Sequence, residues 1–367
     1  MVGLKTATAE GLLFIIGQIW LSYAIDTNDL EGCECNILGA CDANGNRKQD
    51  WNKYLPTGVD KFGYVVQNVQ NLRYVCEDSE SPAILFDNNS KIPLYCAIVM
   101  NEQQLNAEGK QKRKKRFLLS KKIAKDNQQR NKDYQGSSKR KLCIRKAAQT
   151  AKAVARKWLS KKEATCAPKG TVKVNNCFAV EDLKTEVHRG HLCASQYGRG
   201  NQKRMDATNT YTNVVPQFGA FNSGPWQQCE THLVRWGQTK CAIKGAMNVR
   251  MHIVIGAIPS TVYGASEATF FGVYGFSEFQ QKTDYPANFP KHLWTAACCT
   301  FQTNVQDIQT KAVAFEREND PGSSPCKVMS LPKLTTFLTN NNIPGKIDLY
   351  PNNPECNDLK NYEALTC

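Results

Sequence analysis

One short stretch of the chain holds most of the side chains that are suited to phosphate chemistry. Between Glu186 and Trp236 it reads EVHRGHLCASQYGRGNQKRMDATNTYTNVVPQFGAFNSGPWQQCETHLVRW. Neutral imidazole can take a proton from water near pH 7, and a guanidinium group binds a phosphate through two parallel hydrogen bonds. His191 and Arg189 therefore supply two parts of a phosphodiester hydrolase. The third part is a cation that offsets the charge building up on the phosphate.

Asn222 is the candidate ligand for that cation. An amide oxygen is a hard ligand that Mg2+ accepts while it keeps most of its waters. Asn222 also lies just before Ser223-Gly224-Pro225-Trp226, where a helix N-cap is expected, so simple capping is the alternative role. Glu230 follows eight residues later, up to ~12 Å along a helix axis, and we expect it to orient a metal-bound water. His188 and His191 do not share one strand face, which argues against a two-histidine metal clip.

Strand-like and helical patterns surround this stretch and must position it. A helical spacing begins at Phe221-Asn222, and a hairpin is predicted where a turn-forming sequence, Asp87 to Ser90, separates two apolar runs. Within that turn, Asn88-Asn89-Ser90 is a glycosylation sequon. The strand-like runs of this part of the chain are Tyr64–Val66, Leu72–Cys76, Ile84–Phe86 and Ile92–Met100.

Overall composition fits a folded, largely globular protein. Of the 367 residues, 41% are hydrophobic and 22% are charged, with a formal net charge of +14. These values exclude a wholly disordered, collagen-like or polytopic membrane protein. The charge is concentrated: residues 110–162 contain 21 Lys and Arg against Asp126 and Asp133, a net charge of +19, which leaves −5 for the rest.

Three interpretations of this basic segment stay open. It is a solvated insertion with one amphipathic helix over 142–159, a phosphate-binding surface, or a processing site. Arg113-Lys114-Lys115-Arg116 resembles the recognition site of secretory-pathway convertases, and a cut there would leave odd numbers of cysteines on both sides. If every cysteine is paired, at least one disulfide must then cross the cut. The candidate phosphate-binding residues are Lys112, Arg113, Lys114, Lys115, Arg116, Arg145, Lys146, Arg156 and Lys157.

The N-terminus and the cysteines predict a secreted protein. Residues 1–24 combine an early Lys5, a short apolar run and the small residues Ser22 and Ala24 at the positions expected for cleavage; a buried N-terminal helix is the alternative. All 16 cysteines follow Ala24, and an even count in a secreted chain predicts disulfides. The chain contains no CxxC pair of the kind that binds zinc. No later apolar run is long enough for a membrane anchor.

Several motifs in order resemble those of the DNA/RNA non-specific endonucleases, most closely the secreted animal branch of the family. His188-Arg189-Gly190-His191 resembles the DRGH motif of the family. The resemblance covers roughly 62–100 and 174–300. It continues in QKRMDAT, TNVVPQ and FNSGPWQQCE, and in AILFDNNSKIPLYCAIV, MHIVIGAIPS and FPKHLWTAACC.

The resemblance implies an α+β fold, with a ββα-metal core on a central antiparallel sheet flanked by helices and with disulfide bonds. It implies that His191 is the general base, that Asn222 binds one Mg2+ (or Mn2+), and that Arg189 stabilises the transition state. Asn213 would orient the histidine or the substrate, and Glu230 would hold a metal-bound water. The implied partners are DNA and RNA, cleaved to 5′-phosphorylated products.

Two positions differ from the family pattern. His188 replaces the Asp of the motif, and losing a carboxylate beside a hydrated cation should weaken metal binding or turnover. The family tends to carry an arginine one helical turn after the glutamate, where this chain has Val234, and Arg235 is the candidate replacement. These differences support a second hypothesis, a catalytically weakened protein that binds nucleic acid or another extracellular polyanion. A purely structural extracellular role is the third.

The expected organisation has four parts. Residues 1–24 form the signal peptide, and 25–58 form a cysteine-rich lead. Residues 59–300 form the nuclease-like domain, which includes a basic insertion over 105–162. Residues 301–367 form a disulfide-tied tail.

Overall fold

The chain folds around one large antiparallel sheet. The structure is a computed structural model that describes residues 30–59, 72–88, 90, 92–108, 117–118, 187–259, 288, 290–319, 325–341 and 346–365. The strand order is β1-β2-β3-β6-β7-β8-β9, and β4 and β5 form a separate two-stranded sheet. The strands are β1 Leu72–Val75, β2 Ala83–Asp87, β3 Ile92–Asn101, β4 Val187–His191, β5 Val214–Phe218, β6 Met247–Ile258, β7 His292–Gln302, β8 Ile308–Glu318 and β9 Lys327–Met329.

Helices flank the sheet on both faces. The longest is α4, Pro225–Lys240, and the others in the described ranges are α1 Glu102–Leu105, α2 Gln202–Ala207, α3 Gly219–Asn222, α5 Leu331–Asn340 and α6 Pro354–Asn357. Consecutive residues of a strand point to opposite faces, so a strand covered on both sides is apolar at every position. In β6, Ile253 and Ile255 enter one core cluster while Val254 enters the other. The mixed α+β fold predicted from the sequence is confirmed.

The two core clusters correspond to the two sides of the sheet. One contains Trp226 and Leu233 of α4 and the residues around the β4–β5 hairpin. The other contains Leu334 and Leu338 of α5 together with apolar residues of the N-terminal lead, such as Ile37. The candidate site therefore lies on the α4 side, and the lead and α5 stabilise the opposite side.

The predicted hairpin between Ile84 and Met100 is present. Strands β2 and β3 pair antiparallel, from Ala83 opposite Ala97 to Asp87 opposite Ile92. In the turn, the Asp87 carboxylate accepts a hydrogen bond of 3.0 Å from the backbone N–H of Ser90. The predicted strand over Tyr64–Val66 lies outside the described residues.

All twelve cysteines within the described residues are paired, in six disulfides, as the sequence predicts. Cys96–Cys193 ties β3 to the segment after β4, and it is a bond that crosses the convertase-like sequence at 113–116. A chain cut there would stay joined through this bond. The other pairs are Cys33–Cys76, Cys35–Cys41, Cys229–Cys326, Cys241–Cys299 and Cys298–Cys356. Cys143, Cys166, Cys177 and Cys367 lie outside the described residues.

The central sheet extends across the boundary expected at residue 300. Strand β7 runs through it to Gln302, and β8 pairs with β7 from Ile308 opposite Gln302 to Glu318 opposite His292. Since β8 supplies a full-length neighbour for β7, residues beyond 300 complete the sheet. The expected tail is thus largely part of the same structure as the candidate site.

Several predicted features fall outside the described residues. These are the signal peptide over 1–24, the amphipathic helix over 142–159 and nearly all of the basic insertion. Among the residues that are described, no helix has the length and apolar character needed to cross a bilayer.

Candidate functional site

The β4–β5 hairpin carries the histidine–arginine motif. Its register pairs Arg189 with Pro216 and His191 with Val214. The Gln217 side chain lies across Gly190 and donates a 3.1 Å hydrogen bond from Nε2 to the carbonyl oxygen of His191. A Cβ atom at position 190 would overlap this side chain. Glycine at 190 therefore lets Gln217 fix the backbone of the histidine.

Asn209 fixes the ring of His191. The Nε2 atom of His191 lies 3.0 Å from Oδ1 of Asn209. The Nδ2 atom of Asn209 donates to the carbonyl oxygen of Met205 over 3.2 Å, which sets the orientation of the amide. Since Oδ1 can only accept, Nε2 of His191 carries the proton and Nδ1 carries the lone pair. The structure thus selects Nδ1 as the basic nitrogen.

Asn213 holds main chain around the histidine. Its Oδ1 accepts from the backbone N–H of Cys193 at 2.8 Å, and its Nδ2 donates to the carbonyl oxygens of Cys193 and Thr208, both at 2.9 Å. The side chain is fully buried. In this structure Asn213 stabilises the backbone next to His191, and it is Asn209 that contacts the ring. A role of Asn213 toward the substrate stays a prediction. The asparagine-rich run TNTYTN contained both residues but could not rank them.

Arg189 is half-buried and oriented by an aromatic residue. Its Nη1 donates a 3.2 Å hydrogen bond to the hydroxyl of Tyr211. Tyr211 is 3% exposed, so this anchor is rigid. Apart from its place between the two asparagines, nothing in the sequence pointed to Tyr211.

Phe117 and Leu118 lie on the site from a distant part of the chain. The Phe117 ring is 4.9 Å from the ring of His191 and 5.8 Å from that of Tyr211. The guanidinium carbon of Arg189 lies 5.3 Å from the centre of the same Phe117 ring. In the sequence these two residues directly follow the basic run 110–116, and no motif had indicated a role for them.

Asn222 ends a short helical turn rather than capping the long helix. Gly224 is the N-cap of α4, and Pro225 is its first residue. The stacked rings of Phe221 and Trp226, 5.5 Å apart, anchor the turn in the core. Because Asn222 is not used as the cap, its amide is available for a different contact, which corrects the capping expectation.

His188 is that contact. Nδ2 of Asn222 lies 3.2 Å from Nδ1 of His188, and with the amide in this orientation Nδ2 donates, which requires a neutral imidazole. The bond uses an amide hydrogen and not the carboxamide oxygen, so the donor set fits a cation that takes one protein oxygen and several waters. No cluster of three or more His, Cys, Asp or Glu side chains that could hold a metal occurs in the described ranges.

Glu230 lies on the buried face of α4. It is 8% exposed, and Nε2 of Gln196 donates to its carboxylate over 3.4 Å. Burial raises the pKa of Glu230 to about 8. Val234 shares this buried face, whereas Arg235 is exposed to solvent. Arg235 therefore does not share the buried face of Glu230, and its role as a replacement for the family arginine stays a prediction.

Two groups of predicted residues are not placed at the site. The nine candidate phosphate-binding residues, Lys112 to Arg116, Arg145, Lys146, Arg156 and Lys157, lie outside the described residues. Asn88, the predicted glycosylation site, is described and half-buried in the turn after β2. Its glycosylation stays a prediction.

Comparison with known proteins identifies the family of the chain. Among solved structures, the crystal structure of the EndoG/EndoGI complex, which concerns the mechanism of EndoG inhibition, is similar at 13% identity and a TM-score of 0.40. That match covers 76% of this chain and 86% of the other. Among curated protein sequences none matches significantly. The sequence profile of the DNA/RNA non-specific endonucleases matches residues 61–346, well over half of the chain. Since this span contains the whole β4–β5 hairpin, α3 and α4, the chain belongs to the DNA/RNA non-specific endonuclease family.

Proposed function

We propose that the protein is a secreted, Mg2+-dependent endonuclease that hydrolyses phosphodiester bonds of both DNA and RNA and leaves 5′-phosphates. The observation that carries the proposal is the state of His191. Its Nε2 is bonded to Asn209, and Arg189 lies two residues away on the same strand. A histidine with one nitrogen fixed as donor has the other in the form that a general base needs.

His191 acts on the nucleophile. Its Nδ1 takes a proton from the attacking water as the oxygen bonds to phosphorus, the bond to the 3′-oxygen of the leaving nucleotide breaks, and that oxygen takes a proton from solvent water to become a 3′-hydroxyl. The resulting imidazolium keeps its Nε2–H bond to Asn209, whose amide oxygen stabilises the positive charge. The phosphate stays on the 5′-oxygen of the downstream nucleotide, which accounts for 5′-phosphorylated products.

Arg189 acts on the phosphate. The guanidinium group has five N–H donors, and its bond to Tyr211 uses one at Nη1. The remaining donors can bind phosphate oxygens, on which negative charge grows in the transition state. Contacts made only to phosphate oxygens depend neither on the base nor on the 2′-hydroxyl of the sugar, which supports activity on both DNA and RNA.

Asn222 and His188 are the residues proposed at the metal. Asn222 would bind Mg2+, or Mn2+, through its carboxamide oxygen, and the ion would supply charge compensation for the phosphate and the leaving oxygen. His188 orients the Asn222 amide through the 3.2 Å bond. Glu230, buried on α4, is proposed to orient water in the site once its carboxyl group is ionised.

The proposal of secretion is supported by the signal-like sequence over 1–24 and by the six disulfides. Disulfides form and persist in oxidising compartments and are rare in the cytosol. The basic segment over 110–162, including Lys112 to Arg116, Arg145, Lys146, Arg156 and Lys157, is proposed to contact phosphates outside the catalytic centre.

A second function is favoured by one observation, the histidine at position 188. Without the carboxylate of the family motif, the metal is held less tightly, and the protein would bind nucleic acid or another extracellular polyanion with little turnover. The two functions differ in whether a bound phosphodiester is cut.

The test is an incubation of the purified protein with plasmid DNA and with RNA at low salt, with Mg2+ or with excess chelator. We expect cleavage that requires Mg2+ and that falls by about 10²- to 10⁴-fold in His191→Ala. His232→Ala, a histidine on α4, is the matched control and should cleave like wild type. A salt-sensitive complex without cleavage in Mg2+ or Mn2+ would favour the binding function. End-group analysis that shows 3′-phosphates would contradict the proposed chemistry.

A further inference from the structure

Phe117 and Leu118 cover the residues to which the proposed chemistry is assigned. The Phe117 ring lies against His191 at 4.9 Å and under the guanidinium of Arg189 at 5.3 Å. With Phe117 in place, His191 is only 8% exposed. A general base must come within hydrogen-bond distance of the proton that it abstracts, so both water and phosphodiester need space beside this ring.

The backbone of Leu118 fastens this segment beside the histidine. Its N–H donates to the carbonyl oxygen of Asn209 at 2.7 Å, and its carbonyl oxygen accepts from the N–H of Tyr211 at 3.1 Å. These two bonds form an isolated parallel bridge centred on Leu118 and Thr210. The segment is thus attached between Asn209, which fixes His191, and Tyr211, which fixes Arg189.

Fewer contacts hold Phe117 and Leu118 in place than hold the strands and helices around them. The Leu118 side chain is 47% exposed, and the Phe117 side chain is partly buried and packs against the core cluster from outside. Two main-chain hydrogen bonds and the three contacts of one ring can open without disturbing the sheet, since segments with few buried contacts open at low free-energy cost.

We propose that Phe117–Leu118 is an autoinhibitory strap, which in its docked position keeps a phosphodiester away from His191 and Arg189. The proposal rests on the proposed function, because it concerns access to the same site. The strap directly follows the convertase-like sequence Arg113 to Arg116. Cleavage after Arg116 would therefore cut the chain next to Phe117.

Removing the ring tests the strap. Phe117→Ala should bind a fluorescein-labelled 12-residue oligothymidylate several-fold more tightly in low salt with chelator. It should also raise the rate at which diethyl pyrocarbonate modifies His191, followed by peptide mass spectrometry, and it should raise the rate of DNA cleavage in Mg2+ several-fold. Unchanged or lower values of affinity and modification would overturn the strap. Higher affinity with slower cleavage would instead make Phe117 a positioning residue for His191 and would also overturn it.

Two further variants keep the result interpretable. Leu118→Pro removes the N–H that bonds to Asn209 while it keeps the Phe117 ring, and it should shift all three readouts in the same direction. Phe337→Ala is the matched control, since this half-buried ring on α5 packs 5.3 Å from His292, remote from the site, and its loss should leave the readouts at wild-type values.

The strap and the nuclease function fail in different ways. If oligonucleotide affinity and His191 modification rise in Phe117→Ala but no variant cleaves, the strap stands and the proposed function fails. If wild type cleaves and Phe117→Ala neither cleaves faster nor exposes His191, the function stands and the strap fails.

Discussion

Glu230 should make the stability of the protein fall as pH rises. Its side chain is 8% exposed, and burial raises its pKa from the ordinary 4.5 to about 8. The folded protein therefore holds this proton more tightly than the unfolded chain does. The stabilisation is fully present below pH 4.5 and is lost progressively as pH rises through about 8. Glu230→Gln cannot ionise and should remove this dependence.

The magnitude follows from the shift. A change from 4.5 to about 8 corresponds, at 1.36 kcal/mol per pH unit, to about 5 kcal/mol as an upper bound on the loss of unfolding free energy. We expect Glu230→Gln to have nearly the stability of wild type at pH 5 and to be more stable at pH 9, by roughly 2 to 5 kcal/mol.

Urea unfolding at pH 5, 7 and 9 in the presence of chelator measures this difference. Glu355→Gln, an exposed glutamate at α6, is the control and should follow wild type at each pH. If wild type and Glu230→Gln lose stability in parallel between pH 5 and 9, the carboxyl group of Glu230 is ionised in the folded protein as readily as in water. Burial would then not raise the pKa of Glu230.

Three other predictions concern the site and its surroundings. Asn209→Leu removes the acceptor for Nε2 of His191 and should lower kcat by about 10²-fold with a smaller effect on KM; an unchanged kcat in steady-state assays would contradict this role. His188→Asp should tighten Mg2+ binding measured by calorimetry and raise activity at limiting Mg2+, whereas equal or weaker binding would mean that the neighbourhood is adapted to histidine. Replacing the five basic residues at 112–116 with glutamine should flatten the dependence of DNA affinity on salt, by a slope of up to about 4, and an unchanged slope would exclude them as phosphate contacts.

Local sequence chemistry predicted the β2–β3 hairpin because its signals lie within a few residues of each other. The turn Asp87 to Ser90 separates two apolar runs, and the Asp87 carboxylate makes the turn bond itself. The Gly–Pro pair at 224–225 begins α4 in the same local way, whereas the alternative role considered for Asn222 would have placed the cap two residues earlier. Boundaries shift easily by a residue or two, because several neighbouring side chains are able to cap.

Contacts between residues that are distant in the sequence could not be predicted from local residue patterns. Nothing in the run TNTYTN tells which asparagine reaches the histidine, because the answer depends on how β4 and the 3-10 turn at Tyr211–Asn213 face each other. The pairing of β8 with β7 across residue 300 was not predicted for a similar reason, since a strand such as β8 is recognised as part of a sheet only through its partner.

The residue types and their spacing are enough to predict the kind of chemistry, since the His–Arg motif, the asparagine, the glutamate and the even number of cysteines are all visible in the sequence. The hydrogen bond between Nε2 of His191 and Asn209, the anchor of Arg189 on Tyr211 and the Phe117 ring over both residues are visible only in the folded chain. Those properties arise where Phe117, Asn209 and His191 meet, and folding alone brings such distant residues within contact distance.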